Sequence, residues 1–306
     1  KMFTFLLKRL LQGLIVLWVV ATLTFILLRL APGGPFDRER KLPPEVLANI
    51  EAKYHLDEPL FRQYGRYLLG ILHADLGPSY KYLDRGVKEI IAGTLPTSAL
   101  LGLVALVFAL TVSFPAGLLA AYFRHSWIDR FSLLAATLGI SVPHFILGAL
   151  LIWLFALQLG WLQAGRWDNA GSMILPAGTF GAGTAGYPAS LLWSNRIGGP
   201  GEDFIRTARA KGLREGAVLF KHALRNSLVP VLTVMGPLTA ALATGSFVVE
   251  YVFAIPGMGQ FFITAVTDRD YPLIMGATLV YTALLVAANF LVDLFYAYVD
   301  PRIRVY

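Results

Sequence analysis

Residues that could support catalysis or ion coupling are sparse in this sequence, and they form no familiar catalytic pattern. His144 is a single histidine in an uncharged run, where a packed role is more common than a proton relay. Glu250 and Asp293 lie at the ends of such runs, whereas coupled carriers usually place ionisable groups near the middle of the membrane. The sequence has no cysteine and no G-x-S-x-G motif. We therefore expect no catalytic residue, no metal site and no cofactor on this chain.

ATP binding by a phosphate-binding P-loop is also excluded. Such a loop ends in Gly-Lys, and no lysine of this chain follows a glycine. If the protein works with ATP, a separate polypeptide must bind the ATP and its Mg²⁺.

The most distinctive polar stretch is FIRTARAKGL, residues 204–213, which lies between two apolar parts of the chain. Asp203 suits the start of a short helix, and Gly212 suits its end. A second short helix is predicted from Arg214 onward. The stretch is either a basic loop that only fixes membrane topology or a knob that docks in a partner's groove. Two short helices with apolar faces favour docking.

The composition identifies the elements that must position these residues. Of 306 residues, 56% are hydrophobic and only 15% are charged, and the mean hydropathy is +0.62. Soluble domains carry roughly a quarter charged residues, so the chain is predicted to be a membrane protein. The net charge of +7 suggests nucleic acid binding only until its location is considered.

Uncharged runs predict six membrane-spanning helices, because one span needs about 20 apolar residues. The two longest runs contain proline, so a helical hairpin in either is an alternative. The N-terminal run, residues 10–28, is too long for the apolar core of a signal peptide. The runs are 10–28, 90–123, 131–165, 169–195, 226–249 and 271–292.

Basic residues predict the orientation. They concentrate before the first run, between the second and third, between the fourth and fifth, and after the sixth. Six spans place all four segments on one side, which the positive-inside rule makes the cytoplasm. Both termini are then cytoplasmic. This arrangement explains most of the net charge and removes the main support for nucleic acid binding.

Residues 1–30 are thus a cytoplasmic end with the first span, 31–96 an external helical segment, and 97–306 a five-helix core with a cytoplasmic segment at 202–226. The external segment is predicted to hold two amphipathic helices. It is either a cap over the bundle or a docking element for an external partner. The predicted apolar stripes are Val46, Leu47, Ile50 and Tyr54, then Leu60, Tyr64, Tyr67, Leu68 and Ile71.

The fourth run is rich in small residues. Glycine at 178, 181, 183 and 186 predicts close approach of another helix, and ordinary helix packing is the favoured interpretation. Pro188 predicts a kink in the same helix.

FIRTARAKGL followed by HALRNSLVPVL resembles the cytoplasmic coupling motif of binding-protein-dependent ABC transporter permeases. The general motif is Glu-Ala-Ala-x-x-x-Gly. Aligned on Gly212, its first three positions are Arg206, Thr207 and Ala208, so this chain keeps the second alanine and the glycine. The variant RTARAKG is typical of the peptide/nickel branch. LPPEVLANIEAKYHL and GSFVVEYVFAIPGMGQ extend the resemblance to B-type permease subunits of oligopeptide importers.

The resemblance implies an all-α polytopic membrane protein like type I ABC importers. It has six transmembrane helices, an extramembrane helical segment after the first, and a cytoplasmic coupling helix between the fourth and fifth. It also implies that ATPase coupling is the role of Phe204, Ile205, Arg206, Thr207, Ala208, Arg209, Ala210, Lys211 and Gly212.

The implied partners are a homologous second permease, two ATPase subunits, an external peptide-binding protein, the peptide and the membrane lipid, without nucleic acid. The implied location is the inner membrane, and the chain itself is no enzyme. Alternatives are a permease for dipeptides or nickel, a secondary transporter or channel working alone, and a membrane-embedded enzyme. A lone carrier could still use a sodium site built from backbone carbonyls.

Overall fold

The computed structural model describes residues 2–36, 44–82, 84–123, 126–194, 207, 210–212, 214, 234–242 and 245–299. These residues are helical apart from loops and one isolated β-bridge between Pro78 and Gly86, which agrees with the predicted all-α class. Residues 234–242 are also helical. The named helices are α1 (Met2–Leu30), α2 (Pro44–Lys53), α3 (Leu60–Leu72), α4 (Val87–Tyr122), α5 (Trp127–Ser141), α6 (His144–Leu151), α7 (Ile174–Ser194), α8 (Phe247–Val252), α9 (Met258–Asp268) and α10 (Tyr271–Val299).

The chain divides into two compact units. The first contains Lys1–Thr97 and Pro256–Tyr306, and the second contains Ser98–Ile255. The first unit therefore holds both ends of the chain, and helix α4 contributes residues to each unit.

Three helices of the described residues are long and apolar enough to cross a membrane: Leu6–Leu30, Val87–Ala120 and Tyr271–Leu294. They coincide with the first, second and sixth predicted spans. The second is one continuous helix of 36 residues, so the hairpin alternative is wrong for that run. The fourth run forms α7, which is not among these three. Much of the fifth run lies outside the described residues.

The third predicted span is bent rather than straight. Helix α5 and the helical stretch His144–Gln158 meet at 115°, and together they could form a fourth, broken span or a re-entrant loop. The bend has a local cause, because Val142 is extended (φ −83°, ψ 121°) and precedes Pro143. A residue before proline is forced out of the helical region. After α6 the chain continues as a π-helical stretch, Ile152–Gln158.

Within the first unit, α1 packs along α10. A β-carbon on Gly13 would lie only 2.7 Å from a methyl group of Val286, and Arg9 of α1 forms a 3.2 Å ion pair with Asp293 of α10. Asp293, predicted at a span end, is thus held by a charge from the neighbouring helix.

The two helices predicted after the first span are present as α2 and α3, and α2 begins at Pro44 as expected. Tyr64 and Tyr67 of α3 face Phe25 of α1, with ring centres 5.3 Å and 6.0 Å apart. Leu60, at the start of the predicted stripe on α3, is 57% exposed. Tyr54, which belongs to the predicted stripe of the first external helix, packs on Tyr80, with ring centres 4.6 Å apart.

In the second unit, α7 packs against α4 and α5 through its glycines, as the sequence predicts. A β-carbon on Gly181 would lie 2.6 Å from the carbonyl oxygen of Ala105, and one on Gly186 would lie 2.6 Å from that of Ala136. No side chain fits in such a gap, so the backbones are in direct contact. Pro188 lies inside α7, which continues to Ser194.

Candidate functional site

The predicted coupling residues are described only in part. The amide of Lys211 donates to the carbonyl oxygen of Thr207 at 3.1 Å, which closes one helical turn. Gly212 follows with φ +71°, and a β-carbon there would meet nothing within 4 Å. A left-handed glycine at the end of a helical turn is the stop that the sequence predicts.

The other five residues of this set lie outside the described residues: Phe204, Ile205, Arg206, Ala208 and Arg209. Most of the second short helix predicted from Arg214 lies outside them as well. Thr207, Ala210, Lys211 and Gly212 are all exposed. The local geometry therefore agrees with an exposed turn, and the docking role stays a prediction.

Glu250, which lies at the end of an uncharged run, is completely buried. It lies in α8, which begins after the capping residue Ser246. The hydroxyl of Ser98 on α4 donates to Oε2 of Glu250 at 3.0 Å. A β-carbon on Gly245 would lie 2.7 Å from Oε1, and Gly245 has φ +81°. The glycine thus makes room for a carboxylate that links α8 to α4.

Asp270 is the other completely buried carboxylate among the described residues. It lies between α9 and α10 and accepts hydrogen bonds from the hydroxyl of Ser79 and from the amides of Tyr80 at 3.1 Å and Lys81 at 3.4 Å. Its Oδ1 also accepts from the amide of Leu273 at 3.3 Å, in the first turn of α10. One carboxylate thus fixes the loop before α4 to the start of α10.

Two further bonds strengthen this junction. The guanidinium of Arg269 donates to the carbonyl oxygen of Gly34 at 3.2 Å, and the hydroxyl of Tyr271 donates to that of Gly33 at 3.2 Å. The chain that leaves α1 is thus tied to the same turn as the loop before α4. Burial raises the pKa of Tyr80 to about 12, so its hydroxyl stays protonated even at a pH where an exposed tyrosine is ionised.

Arg29 lies one residue from the end of α1. Its Nε and Nη2 donate to the side-chain oxygen of Gln63 at 3.2 Å and 2.8 Å, and its guanidinium carbon lies 4.5 Å from the ring centre of Phe25. Gln63 in turn donates to the carbonyl oxygens of Leu56 and Glu58. The arginine therefore orders the start of α3, and its Nη1 is buried without an acceptor among the described residues.

His144 packs edge-on against Phe180, with ring centres 6.0 Å apart. A β-carbon on Gly183 would lie 2.6 Å from its imidazole carbon, so the ring fills the space that this glycine leaves. Its buried Nδ1 has no hydrogen-bond partner in the described part of the chain. This geometry fits the packed role predicted for the histidine. Within the same residues, no three metal-ligating side chains form a group suited to a metal ion.

Two family models match the sequence. The description "binding-protein-dependent transport system inner membrane component" matches residues 113–305. The N-terminal membrane component of the same transport systems matches residues 2–100. The chain belongs to this family.

Relatives of this family member match it over almost their full length. It is 43% identical to the oligopeptide transport system permease protein OppB of Haemophilus influenzae, over 99% of this chain and 100% of that protein. It is 41% identical to the OppB protein of Escherichia coli strain K12 over the same shares. It is 44% identical to the dipeptide transport system permease protein DppB of Bacillus subtilis, over 94% of each chain.

A solved structure supports the fold of this family member. A chain of the inward-facing MetNI methionine ABC transporter superposes with a TM-score of 0.53, at 18% identity, and covers 69% of this chain and 96% of that chain. At this identity the likeness concerns the fold alone.

The sequence did not reveal the roles of Asp270, Glu250 and Arg29. For Asp270 a local signal exists, because an aspartate just before a helix that begins with Tyr-Pro is a favoured capping residue. For Glu250 the only local signal is a carboxylate next to a charge-free run. Its burial depends on Ser98, which is 152 residues away in the chain.

Proposed function

We propose that this chain is a membrane-spanning permease subunit of an ATP-driven importer that translocates oligopeptides delivered by an external solute-binding protein. The main support is the match to oligopeptide permease proteins over 99% of this chain and 100% of theirs. Family membership and the helical fold agree with a transport subunit. ATP hydrolysis then belongs to two separate ATPase subunits, and a homologous second permease completes the pathway.

The proposed topology has six spans, with both termini in the cytoplasm and residues 31–96 outside. Three helices and one bent pair with the required length and apolarity support it, together with the distribution of basic residues. Cysteines at Asp57 and Arg85 test it, since both positions are exposed and the chain has no cysteine of its own. Both should react with a membrane-impermeant maleimide from the external side. Labelling only from the cytoplasmic side would reverse the topology.

The proposed coupling segment is residues 202–226, which contains the turn that ends at Gly212. Each permease would place its coupling knob in a groove of one ATPase. When ATP binding draws the two ATPases together, each knob would move with the ATPase that holds it. The spans would then alternate between inward-facing and outward-facing states. Apolar contacts suit force transmission, and basic residues fix the register of docking.

Docking and a pure topology role predict different mutational effects. Burying a large apolar side chain is worth roughly 1.5–3 kcal/mol, whereas an exposed ion pair is worth roughly 0–1 kcal/mol. Ile205→Asp or Ala208→Asp should therefore release the ATPases in a pull-down, while Arg206→Gln and Arg209→Gln weaken retention less. Full retention by the aspartate variants would return the segment to a topology role.

Transport itself is tested by reconstituting the complete complex in liposomes. ATP-dependent uptake of labelled peptides should require the ATPases and the binding protein. Uptake by this chain alone on an ion gradient would overturn the proposal in favour of a secondary carrier. Labelled peptides of two to six residues test the second candidate substrate class, dipeptides, which the similarity to DppB favours. If only peptides of two residues are taken up, the proposed substrate becomes dipeptides and not oligopeptides.

A further inference from the structure

A cavity of about 340 Å³ with both apolar and polar lining residues lies within the first unit, where α1 and α10 meet the helices α2 and α3. Its apolar wall comes from Phe25 near the end of α1 and from Pro272 and Met275 in the first turns of α10. Because both helices are candidate membrane spans, this wall is at the depth where a span ends. Lipid headgroups occupy that depth.

Arg29 and Tyr67 line this cavity, and each carries one hydrogen-bond donor that has no acceptor among the described residues. These donors are Nη1 of Arg29 and the hydroxyl of Tyr67, and both atoms are buried. Burial also raises the pKa of Tyr67 to about 12, so the hydroxyl keeps its proton. A buried donor without an acceptor is destabilising, so a ligand oxygen that reaches either donor would be stabilising.

The charges around the cavity favour an anion. Arg66 is already paired with Glu58 at 2.7 Å. His55 lies 3.3 Å from the same carboxylate. Arg29 and Lys53 form no ion pair with the carboxylates that the structure describes; Arg29 bonds to the neutral Gln63, and Lys53 lies over the ring of Tyr54. Asp75 is the acidic residue on the wall, and its Oδ1 accepts from the amide of Gly77 at 2.9 Å.

We propose that this cavity binds the phosphate of an anionic phospholipid headgroup, with Arg29 as the main contact and with Lys53 and Tyr67 beside it. Guanidinium groups bind phosphate through bidentate hydrogen bonds to two of its oxygens. The cavity volume is in the range for whole small ligands, roughly 300–1,000 Å³, so it accommodates a glycerol headgroup in addition to the phosphate. The second carboxylate oxygen of Asp75 can accept from a glycerol hydroxyl. This inference goes beyond the proposed transport function and requires only that α1 and α10 cross the membrane.

The test uses the purified full chain in detergent, with added phosphatidylglycerol, phosphatidylcholine or inorganic phosphate. Native mass spectrometry measures retained lipid, and thermal unfolding measures the shift in Tm. Phosphatidylglycerol should be retained and should raise Tm. Arg29→Gln should bind it about tenfold or more weakly, as expected for the loss of one charge-assisted hydrogen bond. Arg62→Gln is the matched control, because Arg62 lies on the same helix as Gln63, outside the cavity wall.

Tyr67→Phe provides a second test of the proposal in case the Arg29→Gln variant does not fold. It preserves the ring stacked on Phe25 and removes a hydroxyl that bonds to none of the described residues. Reduced phosphatidylglycerol retention in this variant supports the proposal. Unchanged retention in both variants overturns it. The proposal also fails if phosphatidylcholine is retained equally, if inorganic phosphate alone reproduces the Tm shift, or if a tripeptide with a free carboxylate shifts Tm through Arg29 while phosphatidylglycerol does not.

Discussion

The hydroxyl of Ser79 donates a hydrogen bond to the buried carboxylate of Asp270, although the two residues are 191 positions apart in the chain. The same carboxylate accepts from the amide of Tyr80 at 3.1 Å and from that of Leu273 at 3.3 Å. A local loop and the start of α10 are therefore fixed by one side chain. Because unsatisfied buried donors are destabilising, this junction should be sensitive to the loss of a single acceptor.

Asp270→Asn should lower the stability of the protein by about 1.5–3 kcal/mol, the range for hydrogen bonds to a charged group. The amide keeps one acceptor oxygen and turns an NH₂ group toward donors. Thermal unfolding in detergent measures the effect. Asp268→Asn is the control, since Asp268 is partly exposed and two residues away. Equal losses in both variants would show that the buried contacts add nothing.

Gly181→Ala should destabilise the packing of α7 by about 1–3 kcal/mol, as overpacking does, because its methyl group would lie 2.6 Å from the carbonyl oxygen of Ala105. Gly178→Ala is matched to it on the same helix. There the nearest atom, on Phe108, is 3.7 Å away, so alanine fits and stability should be unchanged or higher. Unfolding midpoints of the two variants decide. A stable Gly181→Ala protein would mean that α7 is free to move away.

Ser98→Ala should cost about 1–3 kcal/mol, because it removes a donor to the buried carboxylate of Glu250. Ser113→Ala makes the same chemical change on the same helix, at a serine whose buried hydroxyl has no partner in the described part of the chain. That variant should be neutral or slightly more stable. Similar unfolding midpoints for the two would remove the link between α4 and α8 as a source of stability.

Gly212→Val should impair the predicted coupling segment through backbone strain alone, since φ is +71° and a β-carbon would meet no neighbour. A left-handed conformation costs about 1–2 kcal/mol for most residues, and less for asparagine. Gly212→Asn should therefore keep substrate-stimulated ATP hydrolysis in the assembled complex, whereas Gly212→Val should lower it. Equal stimulation in both variants would show that this bend does not shape a docking surface.

Raising the pH should destabilise the first unit between about 10 and 12. Burial raises the pKa of Tyr67 and that of Tyr80 to about 12, from the usual value of 10.0. The unfolded chain therefore loses these protons first, so stability is fully present below pH 10 and is lost as the pH rises through 12. Tyr67→Phe should flatten the dependence of unfolding on pH, and the exposed Tyr251→Phe should not. Identical curves would contradict the buried position of Tyr67.

The sequence predicted the straight apolar helices and the glycine contacts well, because both depend on local composition. The uncharged runs did not predict the 115° bend near Val142, because the absence of charge carries no information about the direction of the helix axis. The sequence also did not reveal the burial of Asp270 and Glu250, which depends on distant donors. Of the nine predicted coupling residues, only the turn that ends at Gly212 is geometrically supported. The docking role of the set stays a prediction.

The backbone contacts of α7 also have an entropic consequence. Glycine and alanine have essentially no side-chain rotamers to freeze, so joining α7 to α5 at Gly186 and Ala136 costs almost no side-chain entropy. The attraction between such surfaces depends on atoms in contact, and a gap of half an ångström to one ångström already loses a quarter to a half of it. Even a small separation of the two helices would therefore lose a sizeable part of this attraction. We therefore expect helices α5 and α7 to move together when the second unit changes its conformation.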